Sequence, residues 1–260
     1  MTNPVALITG ASSGIGRELA KVFAANGYDL AVTARRASML EAIRDEVDTA
    51  VTVLPMDLTK ASAASLLMRE LESHDLEPEV LVNNAGIAHH GEFAGMAPAA
   101  VTKLVNLNVR AVAELTQRLL PGMLERKRGH ILNVASVVGF QAVPGMALYA
   151  ASKAFVIAFS EALSEELQNT GVSVTALCPG LTDTDMADQL RASGLPGTLM
   201  STVEEVAQEG YRGMIQREPI KVPGILNQAL VGWLSLQPRW LVRSLSGMAA
   251  RMTFAADRER

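Results

Sequence analysis

Three side chains that could carry out proton transfer occur within residues 133–153, NVASVVGFQAVPGMALYAASK. Tyr149 and Lys153 are four residues apart in a segment with helical periodicity, so their side chains lie on one helix face, one turn apart. Ser136 closes the apolar run HILNVAS, which is typical of a buried parallel strand, and such strands carry functional residues at their carboxyl ends. The pattern predicts that these three side chains converge in one active site.

The elements that must position these side chains alternate between residues 5 and 177. Short runs rich in Val, Ile, Leu and Ala are separated by longer segments of helical period, which predicts βαβ units with right-handed crossovers and a parallel sheet. The predicted strands are 5–9, 30–34, 51–55, 79–83, 130–135 and 172–178, with a seventh short strand near 221–224. The predicted helices are 15–26, 38–48, 60–73, 99–126 and 147–169.

Composition restricts the class of protein. The 260 residues contain no Pro/Gly/Ser-rich linker, so one domain is expected, and the 49% of hydrophobic residues can form its core. A net charge of −4 gives no reason to expect nucleic acid as a partner. The single cysteine, Cys178, excludes an intramolecular disulfide and a cysteine-rich metal site, and no metal is expected. Without a signal-peptide pattern or an apolar run of roughly 18 residues, a cytoplasmic location is expected.

The turn TGASSGIG, from Thr9 to Gly16, lies between the first strand and a helix, as a phosphate-binding glycine loop requires. Gly10, Gly14 and Gly16 allow the backbone to approach a pyrophosphate, and the helix that follows offers N–H groups and the positive end of its dipole. The spacing is G-x-x-x-G-x-G, which differs from the commoner G-x-G-x-x-G. A purely steric need for glycine at this turn is the alternative.

The second strand ends in Arg35 and Arg36, where an NAD-selective site would carry an acidic residue for the ribose 2′-hydroxyl. A guanidinium can instead bind a 2′-phosphate through charge-assisted hydrogen bonds, so NADP(H) is the predicted cofactor. The alternative is a solvated basic pair at the start of a helix, which applies more to Arg36 than to Arg35.

Polar residues after the third and fourth strands allow two interpretations each. Asp57 could accept a hydrogen bond from an adenine amino group or cap a helix that begins near Thr59. The turn NNAG, residues 83–86, could contact the cofactor or form an Asx turn that only stabilises the sheet edge. Asn108 lies in an otherwise apolar helix and needs an internal partner, whether or not it assists catalysis.

With TGASSGIG, NNAG, Asn108, Ser136 and YAASK in this order, the chain resembles the short-chain dehydrogenase/reductase family over residues 5 to about 190. The resemblance implies an α/β Rossmann fold, in which a single domain holds a doubly wound parallel sheet of about seven strands in the order 3-2-1-4-5-6-7. It also implies a homodimer or homotetramer. Residues 1–220 would form the catalytic and dinucleotide-binding domain, and residues 221–260 a C-terminal helical extension of it.

The resemblance assigns Ser136, Tyr149 and Lys153 to catalysis, with Asn108 assisting. Tyr149 would exchange a proton with the substrate, its pKa lowered by Lys153 and the oxidised nicotinamide. Ser136 would hydrogen-bond the substrate oxygen, and Asn108 would anchor a water that links Lys153 to solvent. Thr184 matches the position that meets the nicotinamide carboxamide. The full predicted cofactor-binding set is Gly10, Ser12, Ser13, Gly14, Ile15, Gly16, Arg35, Arg36, Asp57, Leu58, Asn84, Ala85, Gly86, Tyr149, Lys153, Pro179, Gly180, Thr182 and Thr184.

Substrate-facing candidates are His89 and His90, the stretch 140–146, and the stretch 187–200 as a possible lid. Beyond residue 220 the family pattern fades, and residues 225–252 hold both tryptophans within helical patterns. We expect these apolar side chains to pack against the catalytic domain or a second subunit rather than a membrane surface, because three arginines, Arg239, Arg243 and Arg251, make the segment only moderately basic.

Together these features predict an NADP(H)-dependent oxidoreductase that interconverts an alcohol and an aldehyde or ketone, with an apolar small-molecule substrate. Two alternatives stay open. A regulatory or scaffolding protein could bind NADP without catalysis, because fold does not establish function. A lipid or steroid reductase at a membrane surface is the other.

Overall fold

The sheet of this protein has seven parallel strands in the order β3-β2-β1-β4-β5-β6-β7, which confirms the predicted topology. A computed structural model describes residues 3–182 and 201–238, together with residues 240 and 244. The strands are β1 (Val5–Thr9), β2 (Asp29–Thr33), β3 (Val51–Val53), β4 (Pro78–Asn83), β5 (Gly129–Val134), β6 (Val172–Leu177) and β7 (Ile220–Lys221).

Helices cover both faces of the sheet. The described α-helices are α1 (Gly14–Ala25), α2 (Ala37–Glu41), α3 (Ala63–Ser73), α4 (Pro98–Val105), α5 (Ala111–Glu125), α6 (Ala147–Glu166), α7 (Val203–Ile215) and α8 (Ile225–Leu236). A π turn, Asn106–Arg110, joins α4 to α5, and short 3₁₀ turns lie at Ala42–Asp45, Phe93–Gly95 and Val137–Phe140.

Two apolar layers result from the alternation of side chains along the strands. Ile8 of β1 packs with Phe23 of α1 and Met214 of α7 on one face. Leu7, its neighbour in sequence, packs with Leu115 of α5 on the other face. Each fully buried leucine of this kind contributes roughly 1.5–3 kcal/mol, so the layers hold the carboxyl ends of the strands at one rigid edge.

Several predicted boundaries are wrong because tertiary contacts override the local pattern. The predicted helix 99–126 is interrupted by the π turn, and 38–48 is a short α2 followed by a 3₁₀ turn. Helix α3 begins at Ala63, not near residue 60. Helix α7 was not predicted, although its capping box, in which Thr202 and Glu205 bond each other's backbone N–H groups, is a readable signal.

Helix α6 is long and apolar enough by composition to cross a membrane, but its inner face packs on the sheet. Tyr149, Lys153 and Val156 are all buried there, so α6 is a core helix of this domain.

The C-terminal segment begins as predicted with a helix, α8, but its apolar side chains are not buried in this chain. Leu226, Trp233, Leu236 and Trp240 are exposed, which contradicts packing against the catalytic domain for the described part of 225–252. Only the opposite side of α8 packs, through Val231. Packing against a second subunit stays a prediction, as does the domain boundary at residue 220, which falls within β7.

Candidate active site

The carboxyl ends of the strands surround a cavity of about 520 Å³. Two predicted residues, Gly16 and Asn108, do not line it, and Thr184 and the stretch 187–200 lie outside the described residues. The predicted residues that do line it are Gly10, Ser12, Ser13, Gly14, Ile15, Arg35, Arg36, Asp57, Leu58, Asn84, Ala85, Gly86, Ser136, Tyr149, Lys153, Pro179, Gly180 and Thr182.

The glycine turn packs tightly on the fourth strand. Gly10 has a φ of +68°, and a Cβ there would lie 2.8 Å from the Cα of Ala85. A Cβ on Gly16 would overlap the Asn84 side chain, so a glycine is needed at residue 16 for steric reasons. Asn84 donates from Nδ2 to the carbonyls of Thr9 (3.0 Å) and Gly10 (3.2 Å). NNAG therefore fixes the loop that faces the cavity.

Thr9 is a positioning residue that sequence reasoning missed. Its hydroxyl donates to the Val82 carbonyl (3.1 Å) and accepts from the backbone N–H groups of Asn84 and Ala85, both at 3.0 Å. The sequence feature that could have indicated this role is a hydroxyl residue at the end of an apolar strand, one residue before the first glycine, where a buried hydroxyl needs hydrogen-bond partners.

Helix α1 begins at Gly14 and directs the N–H groups of its first turn toward the cavity edge. Beside it, Arg36 donates from Nη2 to the hydroxyls of Ser12 and Ser13, both at 3.1 Å. Arg35 is exposed and lines the same cavity. A dipole end, two hydroxyls and two guanidiniums form a donor set suited to phosphate groups.

Asp57 does not cap a helix. Its Oδ1 accepts from the hydroxyl (2.8 Å) and the backbone N–H (3.1 Å) of Thr59, while α3 begins only at Ala63. Burial raises the pKa of this carboxyl, but the hydrogen bonds from Thr59 and the charges of Lys60 and Arg35 outweigh burial and lower it. Asp57 is thus an ionised wall of the cavity, and its contact with adenine stays a prediction.

Ser136, Tyr149 and Lys153 meet at the cavity. The Ser136 and Tyr149 hydroxyls are hydrogen-bonded to each other, and Lys153 Nζ lies 5.7 Å from the centre of the Tyr149 ring. Lys153 also donates to the carbonyl of Val134, at 2.7 Å. The convergence arises because α6 crosses the ends of β5 and β6, with one turn of helix separating the tyrosine from the lysine.

Burial shifts the pKa values of the two ionisable groups in opposite directions. Burial raises the pKa of Tyr149 to about 12, and the hydrogen bond from Ser136 offsets this only in part. Burial lowers the pKa of Lys153 to about 8. Desolvation is thus the largest cause of both shifts in the chain without cofactor, and the predicted lowering of the Tyr149 pKa by Lys153 and the oxidised nicotinamide stays a prediction.

Asn108 sits inside the π turn with its amide group bonded to two elements. Its Nδ2 donates to the Ile87 carbonyl (2.9 Å) and to Ser152 Oγ (3.1 Å), and its Oδ1 accepts from the Ile87 N–H (3.0 Å). One lone pair of Oδ1 remains, and a Cβ on Gly86 would lie 3.5 Å from Oδ1 and 3.6 Å from Lys153 Nζ. Asn108 and Lys153 therefore border the same space.

A buried polar network that sequence reasoning missed lies beneath the site. Asn83 donates to Asn133 Oδ1 (2.8 Å) and Thr116 Oγ1 (3.1 Å), and Asn133 donates to Ser160 Oγ (2.9 Å). The network joins β4, β5, α5 and α6, so it fixes the helix that carries Tyr149. The signal was an asparagine near the end of each of two neighbouring strands.

The predicted substrate-facing loops are held together at one point. Gly91 donates its N–H to the Gly145 carbonyl at 2.8 Å, which joins the loop after NNAG to the stretch 140–146. His89 is half-buried and His90 exposed. Within residues 3–182 and 201–238, no group of three or more His, Cys, Asp or Glu could hold a metal ion.

The fold and the glycine turn define a dinucleotide-binding α/β protein. The short chain dehydrogenase family model matches residues 4–194, so the chain belongs to this family of nicotinamide-dependent oxidoreductases, which act on CH–OH or C=O groups.

Three known proteins illustrate the relationship. The chain is 37% identical to the NADP-dependent 3-hydroxy acid dehydrogenase YdfG of Salmonella typhi over 178 residues, 68% of this chain and 72% of the relative. A short-chain dehydrogenase from Sphingobium yanoikuyae, solved in complex with NADPH, matches with a TM-score of 0.77 and 34% identity, covering 91% of this chain and 97% of that one. The bulky-bulky ketone specific alcohol dehydrogenase of Comamonas testosteroni matches with a TM-score of 0.76 and 31% identity, covering 92% and 96%.

Proposed function

We propose that this protein is an NADP(H)-dependent reductase or dehydrogenase for apolar ketones, aldehydes and the corresponding alcohols. The observation that carries the proposal is the meeting of Ser136, Tyr149 and Lys153 at a cavity whose other end is a phosphate-type donor set. A protein that only sensed the cofactor would have no need of Ser136, Tyr149 and Lys153 in this arrangement.

The donor set fits the cofactor. The N–H groups at the start of α1 would bind the pyrophosphate, and Arg36 with Arg35 would bind the ribose 2′-phosphate in exchange for the serine hydroxyls. The bound nicotinamide supplies or accepts the hydride. The NADPH complex and the NADP-dependent relative support this choice of cofactor.

Tyr149 is the proposed proton donor in the reductive direction. With a pKa of about 12, the phenol carries its proton at neutral pH, and Ser136 can hydrogen-bond the same substrate oxygen. As the proton leaves, the nearby Lys153 stabilises the phenolate. The space bordered by Lys153 Nζ and Asn108 Oδ1 suits a water molecule that returns a proton to Tyr149 through Lys153.

An apolar substrate is supported by the wall nearest Tyr149. Ile87, Ala88, Val138 and Met146 pack in one cluster with Tyr149 and line the cavity. These side chains offer dispersion and desolvation but no charge to bind an ionised substrate, and the cation Lys103, which also lines the cavity, is exposed.

The test is the oxidation of NADPH, followed by absorbance, across a panel of apolar aldehydes, bulky ketones and steroids, with charged 3-oxo acids as the comparison class. We expect turnover of apolar carbonyls and weaker turnover of charged ones. Tight NADPH binding without turnover of any carbonyl would indicate the non-catalytic alternative.

A further inference from the structure

Helix α8 presents an apolar face that the chain itself does not cover. Leu226, Leu230 and Trp233 have the spacing i, i+4, i+7 and are 70%, 45% and 48% exposed. Ile225 and Leu236 flank them, and Trp240 follows just beyond the helix end described above. We name these six side chains the tail face: Ile225, Leu226, Leu230, Trp233, Leu236 and Trp240.

The helix that bears the tail face is nonetheless anchored. Val231, on its other side, packs into a cluster with Val222 and Phe140. Asn227 donates to the Pro223 carbonyl and Gln228 to the Val222 carbonyl, both at 2.9 Å. The tail face is therefore a fixed surface and not the exposed side of an unattached helix.

The sequence that follows the helix is basic. Residues 239–260 contain five arginines against Asp257 and Glu259, a net charge of +3, although the whole chain has a net charge of −4. Lys221, before the helix, does not add to this charge because it pairs with Glu209 and Glu218. Helix α8 itself carries no charged residue. The moderate basicity of this segment did not by itself favour a membrane, but combined with the exposed tail face it indicates a negatively charged partner with an apolar interior.

We propose that the tail face docks on the surface of an anionic lipid membrane. Tryptophans favour the membrane interface because their rings are amphipathic, and basic residues are attracted to anionic headgroups. The 12 residues of α8 span roughly 18 Å, too short to cross a bilayer, so the helix lies in the interface plane.

A second copy of the chain is the weaker occupant. A two-fold interface buries the same patch of both subunits, so it would bring together two copies of a segment with a net charge of +3. An anionic lipid surface instead neutralises them.

The tail face lies beside the cavity. Asn227 packs against Gly180, where a Cβ would lie 2.5 Å from the Asn227 amide, and α8 contacts the turn Val137–Phe140. Both Gly180 and Val137 line the cavity. If the proposed function holds, this placement lets an apolar carbonyl compound pass from the lipid toward Tyr149.

Intrinsic fluorescence tests the docking itself and needs no turnover. Trp233 and Trp240 are the only tryptophans of the sequence, so emission reports on the tail face alone. The full chain is titrated with phosphatidylcholine vesicles and with equal parts phosphatidylcholine and phosphatidylglycerol. We expect the emission maximum to move to shorter wavelength with the anionic vesicles, less so at high salt, and brominated lipid to quench it.

The double variant Leu226→Ser/Leu230→Ser should weaken the vesicle affinity about tenfold or more. The matched control, Leu66→Ser/Leu124→Ser, removes two exposed leucines from α3 and α5 and should bind like the wild type. Emission unchanged by anionic vesicles, or equal binding by both variants, overturns the proposal. So does a vesicle-independent shift that grows with protein concentration and is lost in Leu226→Ser/Leu230→Ser, because a second copy would then cover the face.

Discussion

The candidate active site and the tail face differ in which groups they bury and which they expose. Behind the cavity wall, polar groups are buried, and Asn83, Asn108 and Asn133 each have hydrogen-bond partners within the chain. At the tail face, apolar groups are exposed and find no cover within the described chain. The asparagine side chains of the first region are satisfied within the chain, whereas the apolar groups of the second can be covered only by a surface from outside the described chain.

The largest expected effect is the loss of turnover when Tyr149, in the candidate active site, is changed to phenylalanine. Tyr149→Phe deletes the hydroxyl that we propose exchanges the proton, and general acid catalysis contributes roughly 10²–10⁴-fold. We expect kcat on a verified carbonyl substrate to fall by about that factor, with NADPH affinity nearly unchanged. Tyr28→Phe and Tyr211→Phe, which alter the other two tyrosines, serve as controls. Wild-type turnover by Tyr149→Phe would refute its assignment as the acid.

The next effect concerns cofactor selection. Wild type should bind NADPH more tightly than NADH, and Arg36→Ala should weaken NADPH about ten- to hundredfold, since one charge-assisted contact is worth about 1.5–3 kcal/mol. NADH affinity should change little, because it has no 2′-phosphate. Isothermal titration of wild type, Arg35→Ala and Arg36→Ala measures this, and equal wild-type affinities would rule out NADP(H) preference.

The pKa of Lys153 predicts a stability change with pH. In the unfolded chain this lysine binds its proton up to pH about 10.5, but in the native state only up to about 8, so native stability rises as the pH increases between these values. The contribution of Lys153 by pH 9.5 should be on the order of 2 kcal/mol. Lys153→Met should lack it when urea unfolding is compared at pH 7 and pH 9.5.

If the unfolding free energy of Lys153→Met rose by the same amount between pH 7 and pH 9.5, a group other than Lys153 would be responsible for the rise. Tyr149 contributes little in this window, because its raised pKa makes stability fall only above pH about 10. Cys178, whose pKa burial raises to about 12, makes stability fall from pH about 9 upward in the wild type and in Lys153→Met alike, so the difference between the two chains measures Lys153.

The smallest effect should come from the tail face. Leu226→Ser/Leu230→Ser should change the free energy of unfolding by no more than about 0.5 kcal/mol, because exposed side chains contribute little. Val231→Ala, on the packed side of the same helix, should cost about 1 kcal/mol. Urea unfolding measures both, and a large loss in the double variant would mean that the outer face is covered in solution.

The sequence predicted those parts of the fold and site that depend on local spacing. Residues that alternate in a strand, four-residue spacing between Tyr149 and Lys153, and glycines before α1 each encode geometry within one element. The matched family motifs then implied the strand order that the sheet has.

What the sequence alone determined, then, is the seven strands, most of the helices between them and the end of the sheet at which the candidate site residues lie. Only the tertiary structure decided that Arg36 contacts the serines, that the Asn108 amide bonds Ile87, that burial separates the pKa values of Tyr149 and Lys153, and that the tail face is exposed. These properties depend on desolvation and on contacts between residues distant in the chain, which no local pattern records.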